Sequence, residues 1–182
     1  MKKTIWTAAM AALMALVSAV PQAAAATGQS VTFRMARASA ATCISENAYA
    51  RVTLSDLGSV QNMHVEVVGL TPNNEFTLFV IQHPNFPFGI SWYQGDIETD
   101  ATGRGVGDFT GIFSAETFVL TDTPVQLDHL GIWFAASSDA IQAGCPSLST
   151  PFDGDHEAGI LVLSTSNFPD GHGPLLKLKE EE

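Results

Sequence analysis

Hydrophobic and polar residues alternate along much of the chain, which is the pattern of β-strands that bury one face. Val31, Phe33 and Met35 alternate with polar neighbours, and the same period of two recurs over residues 50–54 and 63–67. Residues 76–81 are apolar at almost every position, which is typical of a strand covered on both faces. Further strands are predicted over residues 92–99, 104–113, 117–120, 125–135 and 160–163.

Turn residues separate these strands, and one short helix interrupts them. Residues 100–103 (Asp-Ala-Thr-Gly) predict a hairpin turn, and residues 139–143 predict a helix that Ser137 or Ser138 caps and Gly144 ends. We therefore expect an all-β fold, an antiparallel two-sheet β-sandwich of the immunoglobulin-like kind with one short helix. A closed β-barrel is the alternative, because the pattern does not show whether the first and last strands meet.

The first 26 residues have the character of a secretory signal peptide. Lys2 and Lys3 precede an apolar stretch over residues 5–20, and the small residues Ala23 to Ala26 follow it. This stretch is shorter than the roughly 20 residues of a spanning helix, and no later stretch reaches that length. We expect cleavage after Ala26, a single domain over residues 27–176 and a charged C-terminal tail over residues 177–182. The mature protein is then secreted or periplasmic, with no membrane span.

Composition limits the partners of such a protein. The chain has 182 residues with 8 Lys and Arg against 19 Asp and Glu, which gives a formal net charge of −11. Nucleic acids and anionic lipid surfaces are bound through basic patches, so neither is an expected partner.

Cys43 and Cys145 are the two cysteines of the chain. In an oxidising compartment a lone pair of cysteines is expected to form a disulfide. A metal thiolate pair and a catalytic cysteine are the alternatives, but neither cysteine has the neighbours that zinc or protease motifs require.

Acidic residues gather on the predicted hairpin around residues 100–103. Asp96, Glu98 and Asp100 share one strand face, and Asp108 follows on the return strand. Oxygen ligands in such an arrangement suit a hard cation, and Ca²⁺ is the natural candidate. The alternative is a solvated polar face on which Arg104 supplies a partial counter-charge.

An aromatic, proline-rich stretch precedes this hairpin. Phe86, Phe88, Trp92 and Tyr93 lie within eight residues, together with prolines at positions 84 and 87. If these rings are exposed, they form a binding surface for a carbohydrate or for another protein. The alternative is that they cover one end of the sandwich.

Evidence for catalysis in the sequence is thin. Asp153, Asp155, His156 and Glu157 form a second acidic cluster that suits a metal or an acid–base pair. His129 lies beside Asp128 and offers a base for Ser91 or Ser114, but there is no nucleophile-elbow motif. No catalytic residue is therefore predicted. The expected role is binding or structural, and a metal-dependent or hydrolytic extracytoplasmic enzyme is the alternative.

One segment resembles a known family. Residues 79–100 read FVIQHPNFPFGISWYQGDIETD, and later stretches read HLGIWF (129–134), AGCP (143–146) and NFPD (167–170). In these stretches the chain resembles a family of bacterial secreted proteins that has no established activity. The resemblance implies export, and it transfers no catalytic residue to this sequence.

Overall fold

A single eight-stranded antiparallel sheet forms the main body of the protein in the computed structural model, which describes residues 28–113, 117–119, 124–151 and 157–180. The predicted signal peptide over residues 1–26 lies outside these ranges. The strands of the chain are β1 Ser30–Arg37, β2 Tyr49–Asp56, β3 Gln61–Val68, β4 Glu75–Ile81, β5 Ser91–Glu98, β6 Arg104–Gly111, β7 Thr117–Val119, β8 Pro124–Gln126, β9 His129–Phe134, β10 Thr150–Pro151, β11 Glu157–Ala158 and β12 Leu161–Ser164. The helices are α1 Ser137–Gln142, a 3₁₀ turn Pro174–Leu176 and α2 Lys177–Glu180.

The strand order in the main sheet is β5-β4-β9-β12-β1-β2-β3-β6, and the sheet curls until its two outer strands, β5 and β6, meet. The predicted two-sheet, immunoglobulin-like sandwich is therefore wrong. The last strand, β12, lies between β9 and β1, with Leu163 opposite Ile132 on one side and Arg37 on the other. It thereby joins the strands into one sheet that is nearly closed into a barrel, which is closer to the alternative fold considered above.

The interior of the barrel is filled by the alternating residues of the strands. Strands β1, β2, β3, β4 and β9 each contribute two or three almost fully buried side chains to it, as the period of two predicts, and β5 contributes Ile97. The largest of them are Met35, Leu54, Met63, Phe76, Leu78, Ile97, Leu130 and Phe134. Burying one such side chain stabilises the fold by about 1.5–3 kcal/mol, so this interior is the main source of stability.

The seam between β5 and β6 is closed at one end only. Thr99 and Gly105 form a single β-bridge there, and β5 and β6 lie apart beyond it. The ring of Phe109 fills the space between them. A Cβ atom at Gly95 on β5 would lie 2.7 Å from this ring, and so would one at Gly107 on β6. Only glycine leaves room for the ring at these two positions, so a side chain closes the seam where backbone pairing stops.

The connection from β3 to β4 holds the closed end of this seam. Residues 69–74 pass over the β5–β6 turn, where the N–H groups of Gly69 and Leu70 donate to the carbonyl of Gly103. The buried Thr99 hydroxyl contacts the Thr71 carbonyl at 2.6 Å. The hairpin end is therefore fixed by backbone and side-chain hydrogen bonds to the β3–β4 connection.

The predicted disulfide is confirmed. Cys43, in the β1–β2 loop, bonds to Cys145, which follows α1, and the two lie 102 residues apart in sequence. In the chain-entropy model, a disulfide that closes a loop of about 100 residues stabilises the folded protein by about 4.7 kcal/mol, because it lowers the conformational entropy of the unfolded chain. The bond is also consistent with a protein that resides outside the cytoplasm.

The short helix lies where the sequence predicts one, but its cap differs. Ala136 occupies the N-cap position and no side chain caps the helix, so neither Ser137 nor Ser138 has the predicted role. Gly144 follows the helix with a φ angle of 76°, as expected of the residue that ends it.

The C-terminal segment packs against the barrel. Leu175 in the 3₁₀ turn and Leu178 in α2 are buried in the main core, and the ammonium group of Lys177 lies 4.7 Å from the centre of the Phe168 ring. The segment that begins at residue 177, treated above as a charged tail, therefore starts with one helical turn that contributes to the core. None of the helices in the described ranges is long and apolar enough to cross a membrane.

We predict that Phe109→Ala lowers the free energy of unfolding by about 2–4 kcal/mol, because it empties the space between β5 and β6. Val106→Ala is the matched control, since Val106 lies on the same strand with 58% of its surface exposed, and it should change stability by less than about 0.5 kcal/mol. Urea denaturation of both variants measures the difference. Equal stability of the two would contradict a side-chain closure of the seam.

Candidate functional site

The loop between β4 and β5, residues 82–90, carries the first part of the aromatic stretch. The N–H group of His83 donates to the carbonyl of Phe88 at 3.0 Å, which closes the base of the loop. The His83 ring also lies 2.8 Å from the Asp170 carboxylate and ties the loop to the segment after β12. This contact holds the pKa of Asp170 below its ordinary value. The loop therefore presents Phe86, which is 85% exposed, from a fixed base.

Five rings form a continuous row on the outer face of the sheet and the adjoining loop. This aromatic row consists of Tyr93, Phe79, Trp133, Phe88 and Phe86. Neighbouring ring centres lie 5.7, 5.6, 5.1 and 5.9 Å apart, and each pair is arranged edge to face. Such pairs contribute about 0.5–1.5 kcal/mol each beyond the area they bury. The row is thus a rigid structure that begins at β5 and ends at the exposed ring of the loop.

Strand pairing explains how the row is assembled. Phe79 on β4 lies opposite Tyr93 on one side and opposite Gly131 on the other. The indole of Trp133 lies over Gly131, where a Cβ atom would overlap its ring. A glycine in the middle of β9 therefore makes room for the largest side chain of the row.

A β-bulge places Tyr93 on this face. Consecutive residues of β4 pair with Gly95 and Tyr93, which leaves Gln94 as the extra residue of β5. The bulge reverses the alternation of side chains, so Tyr93 and Asp96 share a face although they are three residues apart. The Tyr93 hydroxyl donates a hydrogen bond to Asp96 at 2.8 Å. Burial of the phenol raises the pKa of Tyr93, and the hydrogen bond to the Asp96 carboxylate raises it further, to about 12.

A groove of about 550 Å³ opens beside the exposed end of the row. This aromatic groove lies between the β4–β5 loop, the loop after β1 and the segment that leads into β10. Its apolar lining consists of Phe86, Phe88, Trp133, Leu148, Ile160 and Leu161. Its volume lies within the range of about 300–1,000 Å³ that is usual for small-molecule sites.

Polar groups stand around this apolar lining. Ser39, Asn85 and Ser166 line the groove and are exposed, and their side chains form no hydrogen bond with the described part of the chain. Arg37 is the single charged residue among the described lining residues. The groove therefore combines an apolar surface with a few polar groups that have free hydrogen-bonding capacity.

The structure separates the four predicted ligand-binding aromatics. Phe86 and Phe88 line the groove, and Tyr93 lies at the other end of the aromatic row. Trp92 pairs with Val80, a residue of the main core, so it lies on the opposite face of β5 with about half of its surface exposed. The sequence analysis missed Trp133 as a groove residue. The alternation of Trp133 with Ile132 indicated that Trp133 faces outward. It did not indicate that other segments of the chain cover that outer face.

The four predicted metal ligands take part in different local interactions. Asp96 accepts the Tyr93 hydrogen bond, and Glu98 lies opposite Glu75 on β4. Asp100 caps its own turn and accepts three hydrogen bonds from residues 102 and 104, which lower its pKa. Asp108 contacts the His64 ring at 2.8 Å. Within the described ranges no group of three or more His, Cys, Asp and Glu residues is arranged to hold a metal, and calcium binding stays a prediction.

Glu75 is a carboxylate that the sequence analysis did not connect with this cluster. Its pKa is raised by desolvation and then by Asp96, with Glu98 and Asp139 as further like charges. Glu75 is far from Asp96 and Glu98 in the sequence, and only the pairing of β4 with β5 brings the three residues together.

His129 is fully buried, and its contacts are structural. Its Nδ1 atom lies 2.9 Å from the Thr165 hydroxyl, and Nε2 lies 3.7 Å from Asp128. Asp128 in turn accepts a hydrogen bond from the N–H group of Gly173 at 2.9 Å. Ser91 is separated from His129 by Ile81, which pairs with both. The imidazole thus joins β9 to the segment after β12 and has no serine nucleophile within the described ranges.

Two further candidates for chemistry fall outside what the structure describes. Ser114 lies outside the described residues, as do Asp153, Asp155 and His156 of the second acidic cluster. Glu157 belongs to β11, where only its backbone is described.

Comparison with known proteins adds no family to this geometry. No protein-family model matches the chain, and no curated protein is significantly similar to it. The resemblance to bacterial secreted proteins therefore stays a prediction.

We predict that His129 destabilises the fold as the pH falls below about 6.5. Burial lowers the pKa of His129, the nearby Asp128 and Asp170 raise it, and the neighbouring His83 lowers it further. The unfolded chain consequently binds more protons at this residue, and stability declines with acidity from its ordinary pKa of 6.5 downward. Urea denaturation between pH 5 and 7 measures the slope of stability against pH.

The control for this slope is the exposed His172. His129→Gln should remove part of the slope, and His172→Gln should leave it unchanged. His64 contributes in the opposite sense, because Asp108 raises its pKa and its stabilisation is lost as the pH rises. His64 is present in the natural protein and in both variants, so its contribution cancels when their slopes of stability against pH are compared. An unchanged slope in His129→Gln would contradict the assignment.

Proposed function

We propose that this protein is a non-catalytic carbohydrate-binding domain that acts outside the cytoplasm, with the aromatic groove as its ligand site. The observation that carries the proposal is a concave site of about 550 Å³ with Phe86 at its rim and exposed polar side chains around it. Export is supported by the predicted signal peptide and by the Cys43–Cys145 disulfide.

The chemistry of the lining favours a sugar over an extended protein surface. A pyranose ring has a face of C–H groups and a rim of hydroxyl groups, so it needs an apolar surface next to hydrogen-bonding side chains. Phe86 and Phe88 supply the first, and Ser39, Asn85 and Ser166 supply the second. A protein partner of standard size would instead cover about 800 Å² of surface on each side, and a concave site of this volume suits a smaller ligand.

The same lining supports binding without cleavage. Glycoside hydrolysis generally requires two carboxyl groups on either side of the scissile bond. The described residues that line the groove include no Asp, Glu or His. The carboxylates of Asp96 and Glu98 belong to β5, at the far end of the aromatic row from the groove.

We predict that Phe86→Ala weakens binding of a recognised oligosaccharide at least about tenfold, because Phe86 is the most exposed ring of the site. The experiment screens the mature protein on an array of plant and bacterial glycans and then measures affinity by calorimetry. Leu57→Ala, in the turn between β2 and β3, also removes an exposed apolar side chain and should leave the affinity unchanged. Absence of binding to every glycan, or equal affinity of Phe86→Ala and the natural protein, would contradict the proposal.

A further inference from the structure

Arg37 is fixed in place at the edge of the aromatic groove. It is the last residue of β1, its side chain is half-buried, and one Nη atom donates to the Ala41 carbonyl at 2.6 Å. A guanidinium group has five N–H donors in a planar fork. One hydrogen bond to the loop holds this fork in position and leaves most of its donors available to a ligand.

Among the described residues, no carboxylate lies beside Arg37 in the groove. No carboxylate of the described chain forms an ion pair with it, and no Asp or Glu is found among the described residues of the groove. The ion pairs of the described chain all involve histidines, so none of its arginines pairs with a carboxylate. Arg37 differs from the others in its burial, because Arg34, Arg51 and Arg104 are exposed whereas Arg37 is half-buried at the edge of the groove.

A half-buried guanidinium that has no carboxylate partner among the described residues is stabilised by a ligand that supplies a negative charge. A planar carboxylate matches the guanidinium fork and accepts two parallel hydrogen bonds from it. The ligand must also fit an apolar surface with hydroxyl and amide groups around it. A sugar that carries a carboxylate on its ring meets both conditions.

We infer that the groove selects acidic sugars, in which a uronate carboxylate binds Arg37 while the sugar ring packs on Phe86 and Phe88. This inference rests on the proposed function and specifies its ligand class. The other groove residues contribute hydrogen bonds that acidic and neutral sugars share, so Arg37 alone sets the preference for charge. The strongly acidic remainder of the protein disfavours long polyanions, and short oligosaccharides at about 0.15 M salt reduce this repulsion because the screening length is then about 8 Å.

The test compares matched pairs of ligands. Trimers of galacturonate, glucuronate, mannuronate and guluronate are titrated into the mature protein by calorimetry, each beside its methyl ester, in which the carboxylate is neutral. The natural protein should bind at least one free acid about tenfold or more tightly than its ester. Arg37→Gln should abolish this preference by weakening the binding of the free acid far more than that of its ester.

Two variants control for charge and for folding. Arg37→Lys keeps the charge but loses the fork, so it should retain only part of the preference. Arg34→Gln removes an arginine from the same strand without touching the groove, and it should behave as the natural protein does. Melting temperatures of all variants establish that they are folded.

The outcomes separate the two proposals. If neutral glycans bind in the groove and no free acid is preferred over its ester, the selection of acidic sugars is wrong and the carbohydrate-binding function stands. If a free acid is preferred but Arg37→Gln keeps the preference, the assignment to Arg37 is wrong. If no glycan of either kind binds, both proposals fail.

Discussion

Closure of one antiparallel sheet around a hydrophobic interior is the constraint on which the rest of this structure depends. Seven of the eight junctions between neighbouring strands are made by backbone pairing, and the eighth, between β5 and β6, is made by a single bridge and the ring of Phe109. Because the hairpin end of this junction is fixed under the β3–β4 connection, the sheet closes without a full ladder. A barrel of this kind needs glycines at the seam as much as it needs large residues in the core.

The outer face of the barrel gains a second hydrophobic layer where β4, β5 and β9 lie side by side. Phe79, Ile81, Trp133 and Ala158 are buried there, apart from the main core, and Phe88 packs against them. This layer supports the groove, because Phe88 and Trp133 line the groove and pack on buried side chains of the strands beneath them. A site built on packed strands is held more precisely than one built on loops alone.

The sequence predicts which face of each strand is buried, but it does not predict which strands pair with each other. The faces of Phe33, Val52 and Val65 follow from alternation, and the disulfide follows from a lone pair of cysteines. Which strand lies beside which depends on contacts between distant residues, and nothing near Leu163 indicates that it lies between β9 and β1. Alternation gives the two faces of a strand, but one face of a sandwich strand and one face of a barrel strand look alike.

The candidate site shows the same limit more sharply. Phe86 and Phe88 were found because they stand close together in the sequence, whereas Trp133, Arg37 and Leu148 come from three separate elements. The extra residue at Gln94 also shifted the alternation in β5, so Trp92 and Tyr93 could not be assigned to faces by counting. Local pattern cannot locate a bulge that only the pairing with β4 reveals.

The position of the disulfide links folding chemistry to the groove. Residues 38–40 and 148–150 form two sides of the groove, and each set lies three to five positions from one of the bonded cysteines. The covalent bond acts as a clamp between these two sides. If the two thiols were reduced, noncovalent contacts alone would hold these two sides together, so the shape of the groove depends on an oxidising environment.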